Sequence, residues 1–399
     1  MQLTFDPDVE AFRTDLAAFL DENLPPASET LDRPRSVSHM PGWARRWQRL
    51  LFDNGWLLPG QPPEFGGRNA TVVQQFVYLD ELSRRRIYHS FNPQGVNIVA
   101  VSLLSFGSDE QKRRWAVPIL RAEITASLGM SEPNAGSDLA SLRTRAVLCS
   151  DSQGDHFVVN GQKVWTSGAH DADVLLTFVR TNPDAPKHEG ISALMIPTDT
   201  PGVQCRPFPS ICSAGDPDFN EVFFADARVP AENLVGALNE GWRVANGSLG
   251  HERTMMWLGF ADRLDNMIAD FRPSTAVERD QYATAIMDKQ ALRLLGSAAL
   301  AGAARGEDDT SAISVLKLLG SEAELRAMDL ALTSAGPDGL VHPGQSGPYA
   351  HMNLDHYFAS WFERFARSFS GTIAGGTSEI QRNIIAQRVL GLPRGVTRR

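Results

Sequence analysis

An α+β chain, with a β-rich middle between two helical ends, is the fold class this sequence predicts, and three observations predict it. Apolar residues recur at helical spacing through the first 125 or so positions. From about Ala126 to Pro230 the texture changes to short β-like runs bounded by Gly, Pro or Asp. From about Gly241 onward, long amphipathic helical patterns return. The expected organisation is an N-terminal helical domain (1–125), a middle antiparallel barrel or sandwich (126–238) and a C-terminal helical bundle (239–399). A chain of 399 residues is long enough to give each its own core.

The elements follow in order. Asp6-Pro7 is a good helix entry, and Val9, Phe12, Leu16 and Phe19 continue the helical period. Trp43, Trp47, Leu50 and Leu51 repeat it until Asn54-Gly55. The Pro- and Gly-rich stretch Pro59–Gly67 reads as a turn-laden connection, after which periodicity resumes from Val72 to Leu82. Ser108 with Gln111 three residues on is a capping-box pattern. In the middle zone, Asp155–Val159 and Gln162–Trp165 flank Asn160-Gly161, which predicts a tight hairpin. Strands are expected at Val174–Arg180, Ile191–Ile196, Val203–Phe208 and Glu221–Phe224. Leu292, Leu295 and Ala299, then Ile313, Leu316 and Leu319-Gly320, mark bundle helices.

Composition narrows the function. A net charge of −9 and a pI near 5.5 argue against a nucleic-acid partner. Local basic clusters at Arg84-Arg85-Arg86 and Lys112-Arg113-Arg114 read as solvated helix faces. Cys149, Cys205 and Cys212 are too few and too ill-spaced for a disulfide framework or a zinc site, so no metal is expected. The N-terminus lacks the basic flank and apolar core of a signal peptide, and no apolar run approaches membrane-spanning length. No membrane association is expected, and a reducing cytoplasm fits best.

Three segments carry the chemistry. Met130–Asp138 reads MSEPNAGSD, Asn160–Ser167 reads NGQKVWTS, and Gly375–Arg382 reads GGTSEIQR. Small and hydroxyl residues beside a Pro-Asn turn let backbone N–H groups approach a carbonyl-rich or anionic ligand closely. A tryptophan followed by two hydroxyl residues offers a flat apolar wall with donors at its edge. Together they suit a large planar cofactor with polar rims, a flavin before any other.

These segments resemble the (T/S)EPxAGSD, NGxKxWxTN and C-terminal G(G/T)xxQ(I/R) signatures of the acyl-CoA dehydrogenase family, in the same order and spacing and along nearly the whole chain. The resemblance implies an acyl-CoA dehydrogenase-like fold with a middle β-barrel, a bound FAD, an acyl-CoA substrate and α,β-desaturation with electrons passed to an electron-transfer flavoprotein. It places Leu128, Gly129, Met130 and Ser131 along the flavin ring and Ser137 near the pantetheine or pyrophosphate. It sets Trp165, Thr166 and Ser167 at the flavin's reactive edge, and Thr377 and Glu379 toward its ribityl and diphosphate part.

Desaturation needs a base to take the proton α to the thioester. Many family members carry that glutamate immediately before the GT of the C-terminal motif, where this chain has Gly375. A second location exists on the helix that opens the C-terminal domain, as in isovaleryl-CoA dehydrogenase-like members. Ser248-Leu249-Gly250-His251-Glu252-Arg253-Thr254 resembles it, with Glu252-Arg253 at the base–arginine pair. The resemblance then sets Leu249 and Gly250 beside the acyl chain. It leaves Gly375 and Gly376 to offer backbone N–H groups to the thioester oxygen.

The pattern also departs from the family. Phe271–Gln281 lacks the Arg-x-x-Phe-Gly stretch that grips a neighbouring subunit's FAD diphosphate, with Ser274 and Arg279 as the available substitutes. The later Gln-x-x-Gly-Gly-x-Gly pattern is eroded to Thr333-Ser334-Ala335-Gly336-Pro337-Asp338-Gly339. Expected assemblies are a homodimer, a homotetramer, or a heterotetramer with a related subunit. Two readings stand beside the dehydrogenase: a flavin oxidase or monooxygenase on the same fold, and a silent partner subunit. A carrier-protein thioester stands beside CoA as the substrate form.

Overall fold

The structure, a computed structural model, describes residues 5–211, 216–307, 310–341, 352 and 360–393; the side chains of residues 248–255 and 310 also lie outside the description. The chain divides into two compact units. One comprises Met1–Asn23, Ala70–Tyr88 and Arg253–Arg399; the other comprises Leu24–Asn69 and His89–Glu252.

The unit containing Leu24–Asn69 and His89–Glu252 is built on an eight-stranded, mostly antiparallel sheet. Its strands are β1 (Ala126–Gly129), β2 (Arg145–Asp151), β3 (Gly154–Lys163), β4 (Val174–Arg180), β5 (Ile191–Pro197), β6 (Val203–Pro207), β7 (Asn220–Pro230) and β8 (Leu234–Val235). The order is β6-β7-β3-β2-β4-β5-β8, with β1 parallel to β4. Phe157, Val159, Leu175, Val179, Leu194, Ile196 and Val222 form its core. Helix α2 (Gly42–Asp53) buries Trp43, Trp47 and Leu51, and its C-cap is Asn54, as the periodicity predicts.

The hairpin expected at Asn160-Gly161 is not there. β3 runs straight through both residues, and the tight turn lies earlier, between Asp151 and Gly154. Asn160-Gly161 is instead a bulge in the pairing of β3 with β7, where the register shifts between Val159 and Gly161. The Asn160 amide exchanges two hydrogen bonds with Asp226, both 2.9 Å, and so replaces the ladder bonds that the bulge removes. Gly161 has φ +148°, and a Cβ there would sit 2.6 Å from the Thr144 Cα. Glycine serves close backbone approach here, not chain reversal.

The sheet's first strand is tied to the helical part of the same unit by buried polar side chains. Asn92, 1% exposed, donates to the carbonyls of Val37 and Ala126 and accepts from the Ala126 N–H. A π-helical turn, Gly95–Ala100, leads into α4 (Val101–Phe106). The capping box predicted at Ser108 opens α5 (Asp109–Gln111), which continues through a second π turn into α6 (Val117–Leu120). Lys112, Arg113 and Arg114 pair with Asp109, Glu110 and Glu232 on the surface.

The other unit is helical. α1 (Pro7–Asn23) packs on α3 (Val72–Arg85), which starts at a Thr71–Gln74 capping box. Leu20, not Phe19, completes the buried stripe of α1. Arg84 pairs with Asp80, and Arg85 with Asp21 and Glu81, so these two arginines are committed to local ion pairs. α7 (Gly241–Asp270), α8 (Ala276–Ala304), α9 (Thr310–Ala335), α10 (Trp361–Ile373) and α11 (Ser378–Ile384) follow. Trp257, Phe260, Leu264, Met267, Leu292, Leu316 and Met328 centre the core. Of the residues that mark α8 in the sequence, Leu292 is buried and Leu295 is 45% exposed. No helix among the described residues is long and apolar enough to cross a membrane.

Polar groups are buried in this bundle at a cost that pH can reveal. Asp262 accepts a hydrogen bond from the Ser83 hydroxyl at 2.6 Å, and its burial pushes the carboxyl up to about 6. The fold therefore holds a proton that the unfolded chain has released above about pH 4. Its stabilising share is complete below that pH and is lost as pH rises through about 6. We expect Asp262→Asn to remove this slope. Chemical denaturation between pH 4 and 7 should show the wild type losing on the order of 2 kcal/mol relative to the variant.

Candidate active site

The first motif begins at the end of β1, and the second occupies the end of β3 and the loop after it. A buried ion pair joins them. Lys163, 0% exposed at its side chain, donates from Nζ to Glu132 Oε1 at 2.9 Å and to the Met130 carbonyl at 3.1 Å. Glu132 also accepts from the backbone N–H groups of Arg143 (2.6 Å) and Thr144 (2.8 Å). Burial opposes charge on both groups. On Glu132 the adjacent ammonium and the surrounding donors outweigh burial, so its carboxyl lies below the usual range; burial prevails on Lys163, bringing its ammonium down to about 8. The backbone is locked alongside, since Val164 N–H donates to the Ser131 carbonyl at 2.9 Å. With both carbonyls turned to Lys163 and Val164, the course of Met130-Ser131 is set by the end of β3. A cavity of about 250 Å³ adjoins, lined by Glu132–Ala135, Ser141, Arg143, Thr144, Gly161 and Gln162.

Trp165 has φ +62° and is 58% exposed. Its indole meets Phe208 and Phe219 edge-on, with centroids at 5.3 and 5.4 Å, so the ring is braced as a standing wall. Thr166 is fully buried. Its backbone pairs both ways with Asn220, while its Oγ1 has no hydrogen-bond partner among the described residues. Ser167 accepts at its carbonyl from the Ser127 hydroxyl at 2.6 Å. Gln94 Oε1 accepts from the same hydroxyl and from the Leu128 N–H. Leu128, Met130 and Ser131 are half-buried, and Ser137 is exposed.

In the helical unit, Gly375 and Gly376 have φ of +67° and +96°, values that favour glycine. The ideal Cβ position at Gly375 is 3.7 Å from the Met256 Cε. Gln381 Nε2 donates to the Gly375 carbonyl at 3.1 Å. Thr377 is the N-cap of α11, its Oγ1 accepting from the Ile380 N–H, and Glu379 is exposed and paired with Arg382. Ser378 is 3% exposed, and its hydroxyl has no partner among the described residues. Leu249, Gly250 and Glu252, which belong to the sheet unit, and Arg253 lie on α7, but their side chains fall outside the described residues. Ser274 and Arg279 are engaged locally. Both the N–H and the hydroxyl of Ser274 donate to Glu278 in the cap of α8, and Arg279 donates to the Ser274 carbonyl.

Among the described residues, Thr166 and Ser378 each sit in a motif segment, one in each unit, with a buried hydroxyl that has no partner. A ligand with a polar rim satisfies a hydroxyl of this kind, as a flavin's does, so each residue by itself fits that group. Sequence reasoning missed Glu132 and Lys163 as a unit, although charged residues recurring within otherwise small and apolar motifs were a usable signal. Gln94, Ser127, Phe208 and Phe219 carried no such signal.

A helical and sheet flavoenzyme architecture is what the fold and these segments define. Family models agree along the chain: the acyl-CoA dehydrogenase N-terminal domain matches residues 6–123, the middle domain 127–227 and the C-terminal domain 239–390. The acyl-CoA dehydrogenase IpdE1 of Mycobacterium tuberculosis is 36% identical over 401 residues, covering 97% of this chain and 98% of that protein. The solved structure named Tcur3481-Tcur3483 steroid ACAD is similar with a TM-score of 0.79, at 28% identity over 99% of this chain and 100% of that one. The ChsE4-ChsE5 complex from Mycobacterium tuberculosis is similar with a TM-score of 0.75, at 28% identity and the same coverage. The chain belongs to the acyl-CoA dehydrogenase family, whose members are FAD-dependent oxidoreductases, and the family implies a flavin cofactor here.

The Glu132–Lys163 pair yields a stability prediction. Lys163→Met alone strands a buried carboxylate and should cost about 3–5 kcal/mol. The Glu132→Gln/Lys163→Met double variant, which leaves no lone charge, should recover a large part of that loss in denaturant titrations. Equal costs for single and double variants would mean the pair does not act as a unit.

Proposed function

We propose that this protein binds FAD and dehydrogenates an acyl-CoA thioester between its α and β carbons. One observation carries the reading: in a chain that family models match over residues 6–123, 127–227 and 239–390, an exposed, braced Trp165 indole stands beside a buried Thr166 hydroxyl with no partner among the described residues. Leu128, Met130, Ser131, Trp165, Thr166 and Ser167 hold the isoalloxazine part. Thr377 and Glu379 face the ribityl and diphosphate part, Thr377 through its backbone because its hydroxyl caps α11. FAD, when bound, supplies the acceptor for the hydride equivalent leaving the β-carbon.

Glu252 is the base that takes the α proton, with Arg253 holding its charge. Ser137, Leu249 and Gly250 border the substrate, and the Gly375–Gly376 backbone offers N–H groups to the thioester oxygen. The exchange of sites is supported by what replaces the usual glutamate. Gly375 keeps a positive φ that a side chain would strain, and its nearest neighbour is Met256, one helical turn after Glu252 in sequence. Exclusion of water by a bound thioester would raise the carboxyl's proton affinity toward that required for carbon acid chemistry. An electron-transfer flavoprotein is the proposed acceptor of the electrons. A similar assembly is named for steroids, so thioesters of ring-bearing acids are the first substrates to test.

The test is anaerobic. Extraction should release FAD from the purified protein, and a matching acyl-CoA should bleach the flavin absorbance while an enoyl product appears. Glu252→Gln should retain the flavin and lose at least about 1,000-fold in bleaching rate. Near-normal bleaching in that variant would remove Glu252 from the role. A hydroxylated product in air without anaerobic bleaching would replace the dehydrogenase reading with a monooxygenase.

A further inference from the structure

Gln94 is set into the seam between two segments proposed to hold the flavin. It stands just before the π-helical turn Gly95–Ala100, which packs on β1. Asn92 bonds both the N–H and the carbonyl of Ala126, drawing the chain onto the strand. A Cβ on Gly95 would sit 1.9 Å from Asn92 Oδ1 and 3.3 Å from the Ala126 nitrogen, so glycine is what permits the approach. The Gln94 side chain thereby reaches the strand. Its Oε1 accepts from the Ser127 hydroxyl at 3.1 Å and from the Leu128 N–H at 3.3 Å. The fully buried Ser127 hydroxyl also donates to the Ser167 carbonyl at 2.6 Å.

These bonds orient the amide. A reversed amide would set its NH2 group against the Leu128 N–H, donor against donor, so the oxygen faces β1 and the nitrogen faces away from it. The C=O and C–N bond lengths place that nitrogen about 2.2 Å from the oxygen, hence no more than about 5.5 Å from the Leu128 nitrogen. Gln94 is half-buried, and its Nε2 makes no hydrogen bond among the described residues. A donor is thus held in a fixed direction beside β1 with nothing in this unit to receive it. Both of its anchors, Leu128 directly and Ser167 through Ser127, belong to the set proposed to hold the isoalloxazine ring. The rim of that ring carries carbonyl oxygens, which accept and cannot donate.

We infer that Gln94 is a cofactor-binding residue whose Nε2 donates a hydrogen bond to a carbonyl oxygen of the bound flavin. The inference rests on the flavin reading given above. A hydride arriving from the β-carbon brings two electrons and one proton, so the ring ends one unit more negative. A fixed donor at its rim stabilises that added charge and makes the flavin easier to reduce.

Gln94→Glu isolates the donor. Its carboxylate still accepts from Ser127 and Leu128, while the NH2 group is lost and a negative charge takes its place. Gln94→Met, of similar length, removes donor and acceptor together. The full chain with its bound flavin is equilibrated with a redox dye, without oxygen and without thioester, and circular dichroism checks that each variant stays folded. At a fixed potential the ratio of reduced to oxidised flavin should fall at least about tenfold in Gln94→Glu, a midpoint lower by about 30 mV for the two-electron couple. A smaller fall, severalfold, is expected in Gln94→Met. In both variants the flavin carbonyl bands in the infrared spectrum should move to higher frequency. Unchanged potential and carbonyl bands in both would overturn the inference, as would an effect confined to thioester binding. A wild-type protein that takes up no FAD would overturn the proposed function and this inference with it. A flavin-loaded wild type with indifferent variants overturns the inference alone.

Discussion

A buried lysine and a buried glutamate hold two motif segments of the sheet unit together. Glu132 comes from the loop after β1 and Lys163 from the end of β3, and each sits in a different sequence motif. Neither charge would be tolerated in that interior without the other. The pair thus converts two sequence segments into one surface. Its side bonds, to the Met130 carbonyl and to the N–H groups of Arg143 and Thr144, spread the constraint into the backbone that lines the cavity.

A second layer of polar contacts supports these segments from behind. Asn92 clamps the start of β1, Gln94 bonds Ser127 and Leu128, and Ser127 reaches across to the Ser167 carbonyl. The segment that begins at Trp165 is thereby tied at both ends, to β3 through Lys163 and to β1 through Ser127. Rigidity of this kind suits a binding surface for a flat ring, because an ordered wall loses little entropy on binding. Among the described residues the buried Thr166 hydroxyl has no partner, beside a backbone that is fully paired with Asn220.

Much of the fold was legible because hydrophobic period reports burial directly. Val9, Phe12 and Leu16 in α1, or Val174–Arg180 in β4, needed only their spacing to be placed. The capping boxes at Thr71, Ser108, Thr275 and Ser360 share one local chemistry, and Ser108 was read from it. Asn160-Gly161 misled because the same dipeptide serves two purposes. A tight turn needs its positive φ, and so does a bulge in which the neighbouring strand passes too close for a Cβ. Local sequence cannot distinguish them; the proximity of Thr144 and Asp226 does.

Sequence alone determined the family and the three-part order of elements, since each depends on local pattern or on motifs of fixed spacing. It also showed that Gly375 lacks the usual carboxylate. Only the tertiary structure decided that Glu132 and Lys163 are partners and that Leu295 faces outward. Those facts concern residues far apart in the chain, or the side of a helix that a core happens to occupy. Periodicity locates a face, but only packing reveals what the face meets.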